Sequence, residues 1–134
     1  MRTHDAMDEP KKLLIGEDDE DCRVILICRL RKLGRFDIRE AADGQHAIDA
    51  VRAELPDLIF IDLGLPGVNG WEATRRIRQL PGGDRVPIIA YTARAMQWAL
   101  DADCDDYIAK PVMNLCVVLR EKLERWLPAA EEAR

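Results

Sequence analysis

No stretch of this chain approaches the ~20 consecutive apolar residues of a bilayer-spanning helix, so no membrane partner is expected. The opening residues, Met1-Arg2-Thr3-His4-Asp5-Ala6, are polar and hold no signal-peptide core. A basic excess is also missing. The formal net charge of −5 argues against direct nucleic-acid binding, which needs clustered Lys and Arg on one face. The four cysteines, Cys22, Cys28, Cys104 and Cys116, show no Cys-x-x-Cys spacing. They read as small hydrophobes in a reducing cytoplasm, which is the expected location. His4 and His46 are far apart and have no ligand-like spacing, so a zinc-type site is not expected. Internal repeats, low-complexity tracts and internal linkers are absent.

What is present is a soluble globular balance, 48% hydrophobic and 34% charged, in 134 residues, enough for one domain with its own core. Apolar runs and amphipathic stretches alternate. Strands are expected over 12–16, 36–41, 58–61, 86–91 (ending at Thr92) and 107–109. Between them the pattern predicts a helix over 21–33, with Leu26, Leu30 and Leu33 facing the sheet and Gly34 as its stop. A second helical stripe of Ala47, Ile48, Val51 and Leu55 ends before Pro56. Further helices are expected over 71–80, briefly over 94–102, and over 112–127. Alternation of this kind predicts a doubly wound parallel α/β sheet with helices on both faces. Residues 1–11 and 128–134 are expected to be tails around a domain over 12–127.

If all strands run the same way, their carboxyl ends share one rim, where ligands bind in open α/β sheets. Glu17 and Asp18 follow the first strand, Asp62 the third, Thr92 the fourth and Lys110 the fifth. Three crowded carboxylates repel one another unless a cation sits among them, and oxygen-only ligation suits Mg²⁺. A carboxylate can also attack phosphorus to give an aspartyl-phosphate, with Lys110 and the Thr92 hydroxyl placed to meet the phosphoryl oxygens. Taken alone, paired acids after a strand are loop solvation or helix N-caps, and Thr92 is equally an N-cap for the next helix. Asp105 and Asp106 lie at the opposite end of their strand and read as structural.

Four segments in order resemble the receiver domain of two-component response regulators over residues 11–127. They are Leu13-Leu14-Ile15-Gly16-Glu17-Asp18-Asp19, Asp62-x-x-x-Pro66-Gly67-x-x-Gly70, Tyr91-Thr92-Ala93 and Asp106-Tyr107-Ile108-Ala109-Lys110-Pro111. The resemblance implies a flavodoxin-like, five-stranded sheet in the order 2-1-3-4-5. It implies phosphorylation of Asp62 by a histidine kinase or phosphotransfer protein, catalysed by the domain itself together with slow autodephosphorylation. It further implies Mg²⁺ held by Glu17, Asp18, Asp62 and the carbonyl of Gly64, with Thr92 and Tyr107 as a switch pair. Asp18 rather than Asp19 is matched, because Arg23 follows five positions later, where the family often has a basic residue. A stand-alone receiver is expected, a monomer or weak phosphorylation-dependent dimer that signals to a downstream protein or passes phosphate along a relay. A receiver cut from a larger regulator or hybrid kinase, and a phosphate-independent adaptor, are the alternatives. A flavodoxin-like binding or phosphatase domain would need a Gly/Ser/Thr phosphate loop after the first strand, where Glu17-Asp18-Asp19 stand instead.

Three departures from the family pattern stand out. Only 110 − 92 = 18 positions separate Thr92 from Lys110, so the fourth helix is expected to be short by about one turn of ~3.6 residues, with Asp103 where Gly is frequent and with Met96 and Trp98 partly exposed as contacts or, equally, Trp98 packed into the core. Val24, Ile27 and Cys28 form a second stripe on the first helix, fringed by Arg23, Arg29, Arg31 and Lys32; it is expected to dock the phosphodonor, unless the last helix covers it. Gly64 stands where larger side chains shade the phosphoryl group, and Arg94 could offset that opening.

Overall fold

Leu58–Ile61 consists of four apolar residues, all buried, and forms β3 at the centre of the sheet. A strand buried on both faces reads as an unbroken hydrophobic run. In the computed structural model, which describes residues 9–93 and 103–127, β1 (Lys11–Gly16) and β4 (Ile88–Thr92) flank β3. β2 (Phe36–Ala41) and β5 (Asp106–Ala109) form the edges. The order is β2-β1-β3-β4-β5, with every pairing parallel, as expected.

Four helices are described: α1 (Glu20–Leu33), α2 (Gly44–Ala53), α3 (Gly70–Arg78) and α4 (Leu115–Trp126). Strand alternation divides the core between the two faces. Leu14, Ile59, Ile61, Ile88 and Ala90 pack with the α2 and α3 side. Leu13, Ile15, Phe60, Ile89 and Tyr91 pack with the α1 and α4 side. The first three helices start at Asx caps on the functional rim: Asp19 accepts from the Cys22 N–H at 3.0 Å, Asp43 from His46 at 2.8 Å and Asn69 from Glu72 at 2.9 Å. Each cap satisfies an otherwise orphaned donor and fixes where its helix leaves the rim. Among the described residues, no helix is long and apolar enough to cross a membrane.

Several expectations about the elements change. β1 begins at Lys11 and α1 at Glu20. β4 begins at Ile88 because Pro87 precedes it without an N–H, although its carbonyl still accepts from Ile59 at 3.0 Å. α2 stops at Ala53 and Leu55 is 42% exposed, not a member of the buried stripe. Arg39 ends that helix by donating to the carbonyls of Ala50 at 2.7 Å and Glu54 at 2.6 Å. The last helix begins at Leu115, after a cis Lys110–Pro111 bond, rather than at 112. The expected short helix over 94–102, with Arg94, Met96 and Trp98, lies outside the described residues, as do 1–8 and 128–134.

Two charged clusters brace the end of the sheet opposite the functional rim. Arg78 donates to the carbonyls of Gly83, Val86 and Asp103 and to the Asp105 carboxylate, tying the end of α3 to the loop before β4 and to the residues just before β5. Asp105 also accepts from the Ile88 N–H at 2.8 Å. Asp103 takes φ +66, a left-handed conformation that Asp tolerates better than most residues and Gly best of all. Asp106 accepts from Lys122 at 2.9 Å and from the Trp126 indole at 2.9 Å, locking α4 to β5. Burial alone would raise the Asp106 carboxyl. The indole and the ammonium outweigh it and hold the group below the ordinary carboxylate range.

Asp106→Ala should cost about 2–4 kcal/mol of stability at pH 7, because it strands Lys122 and the indole in a mostly buried place. The folded-state pKa is depressed, so this contribution is fully present above the unfolded value of about 3.9 and fades as pH falls through the folded value. Urea unfolding of parent and variant at pH 7 and pH 3 should show the gap shrinking at the acid end.

Candidate functional site

The rim is built by backbone ladders that run one residue past each strand. The Glu17 N–H donates to Ala41 at 3.0 Å, the Asp62 N–H to Gly16 at 2.8 Å and the Lys110 N–H to Thr92 at 2.9 Å. These bonds bring Glu17, Asp62 and Lys110, 93 residues apart at the extremes, to one edge. Lys110 Nζ lies 2.5 Å from Glu17 Oε1 and 3.1 Å from Asp62 Oδ2. The other Asp62 oxygen accepts from the Gly64 N–H at 2.9 Å, and the other Glu17 oxygen from the Asp19 N–H at 3.1 Å. Arg23 donates to the Glu17 carbonyl at 2.7 Å and to Glu40 at 2.8 Å, pinning the start of α1 over the rim.

Glu17 is 1% exposed. Burial pushes its carboxyl above the ordinary range, and the Lys110 ammonium and the Asp19 N–H oppose that. For Lys110, burial lowers the pKa but Glu17 and Asp62 raise it further, so the ammonium stays charged. Asp18 completes the group: one ligand oxygen each from Glu17, Asp18 and Asp62 lies within 4.8 Å of the others. One ammonium against three carboxylates leaves two formal negative charges (1 − 3 = −2). An all-oxygen donor set with that deficit fits a hard divalent cation such as Mg²⁺. Asp19, the sequence neighbour, is spent on capping α1.

The loop from Asp62 to Gly70 is drawn tight. The Gly70 N–H donates to Leu63 at 3.1 Å, and Gly67 takes φ +70. A Cβ on Gly70 would meet the Asp62 carbonyl at 2.0 Å, and one on Gly44 the Val68 carbonyl at 1.5 Å. The two glycines thus let the loop close on β3 and on the start of α2, which holds Asp62 in place. Gly64 is different: its Cβ would find only Asp62 Oδ1, at an ordinary 3.6 Å.

Thr92 is 1% exposed at the end of β4, and Tyr107 is half-buried on β5 against the α2 and α3 side of the core. The register pairs Ala90 with Tyr107 and Thr92 with Ala109, so by alternation both side chains belong to the same face. The expected docking stripe needs correction. Val24 and Cys28 are exposed, but Ile27 is 9% exposed and packs in the core with Leu26, Leu30, Leu119 and Leu123. α4 packs against α1 and closes over that position. Ile25, 50% exposed, takes its place beside Val24, and the sequence pattern passed it over. Cys28 is not an interior hydrophobe either, whereas Cys104 is buried and its thiol is pushed up to about 11 by burial.

Sequence reasoning also missed Tyr91. Its ring, 8% exposed, lies on the α1 and α4 face, and Lys110 Nζ stands over it 4.8 Å from the centroid. Adjacency to Thr92 on an alternating strand was the available signal, since it sends the two side chains to opposite faces.

The sequence matches the model of the response regulator receiver domain over residues 13–120, and the chain belongs to that family. It is 39% identical to the transcriptional regulatory protein AfsQ1 of Streptomyces coelicolor over 106 residues, 76% of this chain and 45% of AfsQ1. It is 38% identical to the phosphate regulon transcriptional regulatory protein PhoB of Rhizobium meliloti over 115 residues, 83% of this chain and 50% of PhoB. The chain thus spans about half the length of these relatives. Among solved structures it resembles the receiver domain of the sensor histidine kinase PA1611 from Pseudomonas aeruginosa, with TM-score 0.81 and 36% identity over 88% of this chain and 98% of that one. That structure has magnesium coordinated in the active site cleft. The Vibrio cholerae chemotaxis protein CheY4 shares the fold at 22% identity and TM-score 0.78, over 89% of this chain and all (100%) of that one.

Gly70→Ala should destabilise the domain by about 2–3 kcal/mol, because the added methyl collides with backbone rather than with a flexible side chain. Chemical denaturation checks it; unchanged stability would mean that the loop re-forms around the methyl.

Proposed function

We propose that this chain is a phosphorylation-controlled signalling module in which Asp62 accepts a phosphoryl group from a histidine kinase or a phosphotransfer protein. The observation that carries the reading is a single ammonium, Lys110, bridging Asp62 and a buried Glu17 at a rim that remains two charges short. An Asp62 carboxylate oxygen forms the new bond to phosphorus as the bond to the donor breaks, and the donor leaves with the electron pair. Lys110 stays against the carboxylate and attracts the phosphoryl oxygens, while Thr92 offers them its hydroxyl. Water attacking phosphorus later releases phosphate and restores the carboxylate.

Glu17, Asp18, Asp62 and the Gly64 carbonyl are the residues that would hold Mg²⁺, which when bound neutralises charge on the phosphoryl group. The Gly64 N–H orients Asp62 for the reaction. Thr92 and Tyr107, on one face of adjacent strands, form the proposed switch pair that reports the charge gained at Asp62. The exposed Val24, Ile25 and Cys28 on α1 are the proposed phosphodonor contacts; Ile25 also lines a groove with Met113 and Val117. Output would pass through a protein partner or a phosphorelay. A second reading, a receiver joined to further domains, is favoured by the greater length of AfsQ1 and PhoB and by the likeness to a receiver from a sensor kinase.

Incubation with acetyl phosphate and Mg²⁺, followed by intact mass, should give one phosphoryl adduct in the parent and none in Asp62→Ala, with chelation of divalent cations suppressing it. No adduct in the parent from either acetyl phosphate or a panel of kinases would favour a phosphate-independent adaptor. Because a side chain at Gly64 meets Asp62 only at contact distance, Gly64→Asn should fold and shade the phosphoryl group. Its phosphorylated form should persist several-fold longer, read by decay of the adduct after the donor is removed.

A further inference from the structure

We propose that Tyr91 is a positioning residue for Lys110, its ring face holding the ammonium at the Asp62 carboxylate. The inference rests on the reading that Asp62 accepts the phosphoryl group. Lysine carries four methylenes and a large rotamer freedom, so an ammonium that must meet an incoming phosphoryl group needs restraint. Glu17 and Asp62 supply part of it, at 2.5 Å and 3.1 Å. Both carboxylates belong to the cluster that suits a divalent ion, so their hold on Lys110 weakens whenever their charge is shared with one.

Tyr91 supplies a restraint of another kind. Its ring centroid is 4.8 Å from Nζ, inside the range of a cation–π interaction, and the side chain is 8% exposed, so water screens the contact little. The ring is neutral. It attracts the ammonium without adding a fourth anion to a rim that already carries three, and a ring face offers no carboxylate oxygen for a metal. Its placement is fixed by the sheet: Tyr91 pairs with Ile108 on β5, two residues before Lys110, and packs in the core with Ile89 and Ile108. Leu or Met would fill that core position with similar volume and no ring quadrupole.

The test compares the parent with Tyr91→Phe, Tyr91→Leu and Tyr91→Met. Adduct formation is followed by intact mass over a series of acetyl phosphate concentrations with Mg²⁺. The ¹H shifts of the Lys110 ε-methylene are measured by NMR with no phosphodonor. The Phe variant should stay within about twofold of the parent, and the ring-free variants should be about three- to tenfold slower in maximal rate, with the half-saturating donor concentration little changed. The Lys110 protons should lose their ring-current shift in Leu and Met alone. Leu and Met variants as fast as the parent with unmoved Lys110 resonances would overturn the proposal, as would a Phe variant as slow as they are. If the parent takes no phosphoryl group, the Asp62 reading fails, and the Lys110 shifts still decide whether the ring holds the ammonium. The second ring-free variant serves if one fails to fold.

Discussion

Three carboxylate oxygens within 4.8 Å at the edge of a parallel sheet are the constraint around which this domain is arranged. At an effective dielectric constant of about 20, each pair of charges at that spacing repels by about 3 kcal/mol. A domain whose whole stability is on the order of 5–15 kcal/mol does not leave such a cluster uncompensated. Lys110 is the compensation in the chain itself, and much of the surrounding architecture keeps it there. The N–H of Lys110 is tied to Thr92, its ammonium to Glu17 and Asp62, and its far side rests on Tyr91. The same imbalance explains the tight closure of the loop at Gly70. The Gly64 N–H and the loop closed at Gly70 hold the Asp62 carboxylate through backbone, without adding a further charge.

The parts of this arrangement legible in the sequence are those that depend on local pattern. Apolar runs ending in acids locate β1 and β3, and Leu58-Ile59-Phe60-Ile61 coincides with the observed strand because a doubly buried strand has no polar positions to blur it. The order 2-1-3-4-5 follows from right-handed crossovers and the family pattern together. Glu17, Asp18, Asp62 and Lys110 were identifiable once their strands were aligned, because parallel strands necessarily bring their carboxyl ends together.

What escaped the sequence depends on contacts between elements. Ile27 fits an exposed stripe as well as a buried one on a helical wheel, and only the position of α4 decides for burial. Leu55 continues the period of α2, but the helix ends first, where Arg39 takes the last carbonyls. Arg78 is one of three arginines on α3, at residues 75, 76 and 78, and nothing in the spacing marks it as the one that turns inward. Gly44 reads as an ordinary turn residue, yet its lack of a Cβ is what admits the Val68 carbonyl. Each is a case of tertiary placement overriding a local signal.

The two aromatic residues of β4 and β5 divide the site between the faces of the sheet. Tyr91 joins the α1 and α4 core and touches the lysine of the rim, whereas Tyr107 joins the α2 and α3 core. Thr92, next to Tyr91, shares the face of Tyr107 by alternation. The rim therefore adjoins both faces of the sheet. Lys110 meets the α1 and α4 face through the Tyr91 ring. Thr92 and Tyr107 line the other face, and Arg78 fixes Asp103 and Asp105 just before β5 at the opposite end of the sheet. Lys110 is thus the one rim residue held from the α1 and α4 side by an aromatic face and from the rim by two carboxylates, among the described residues.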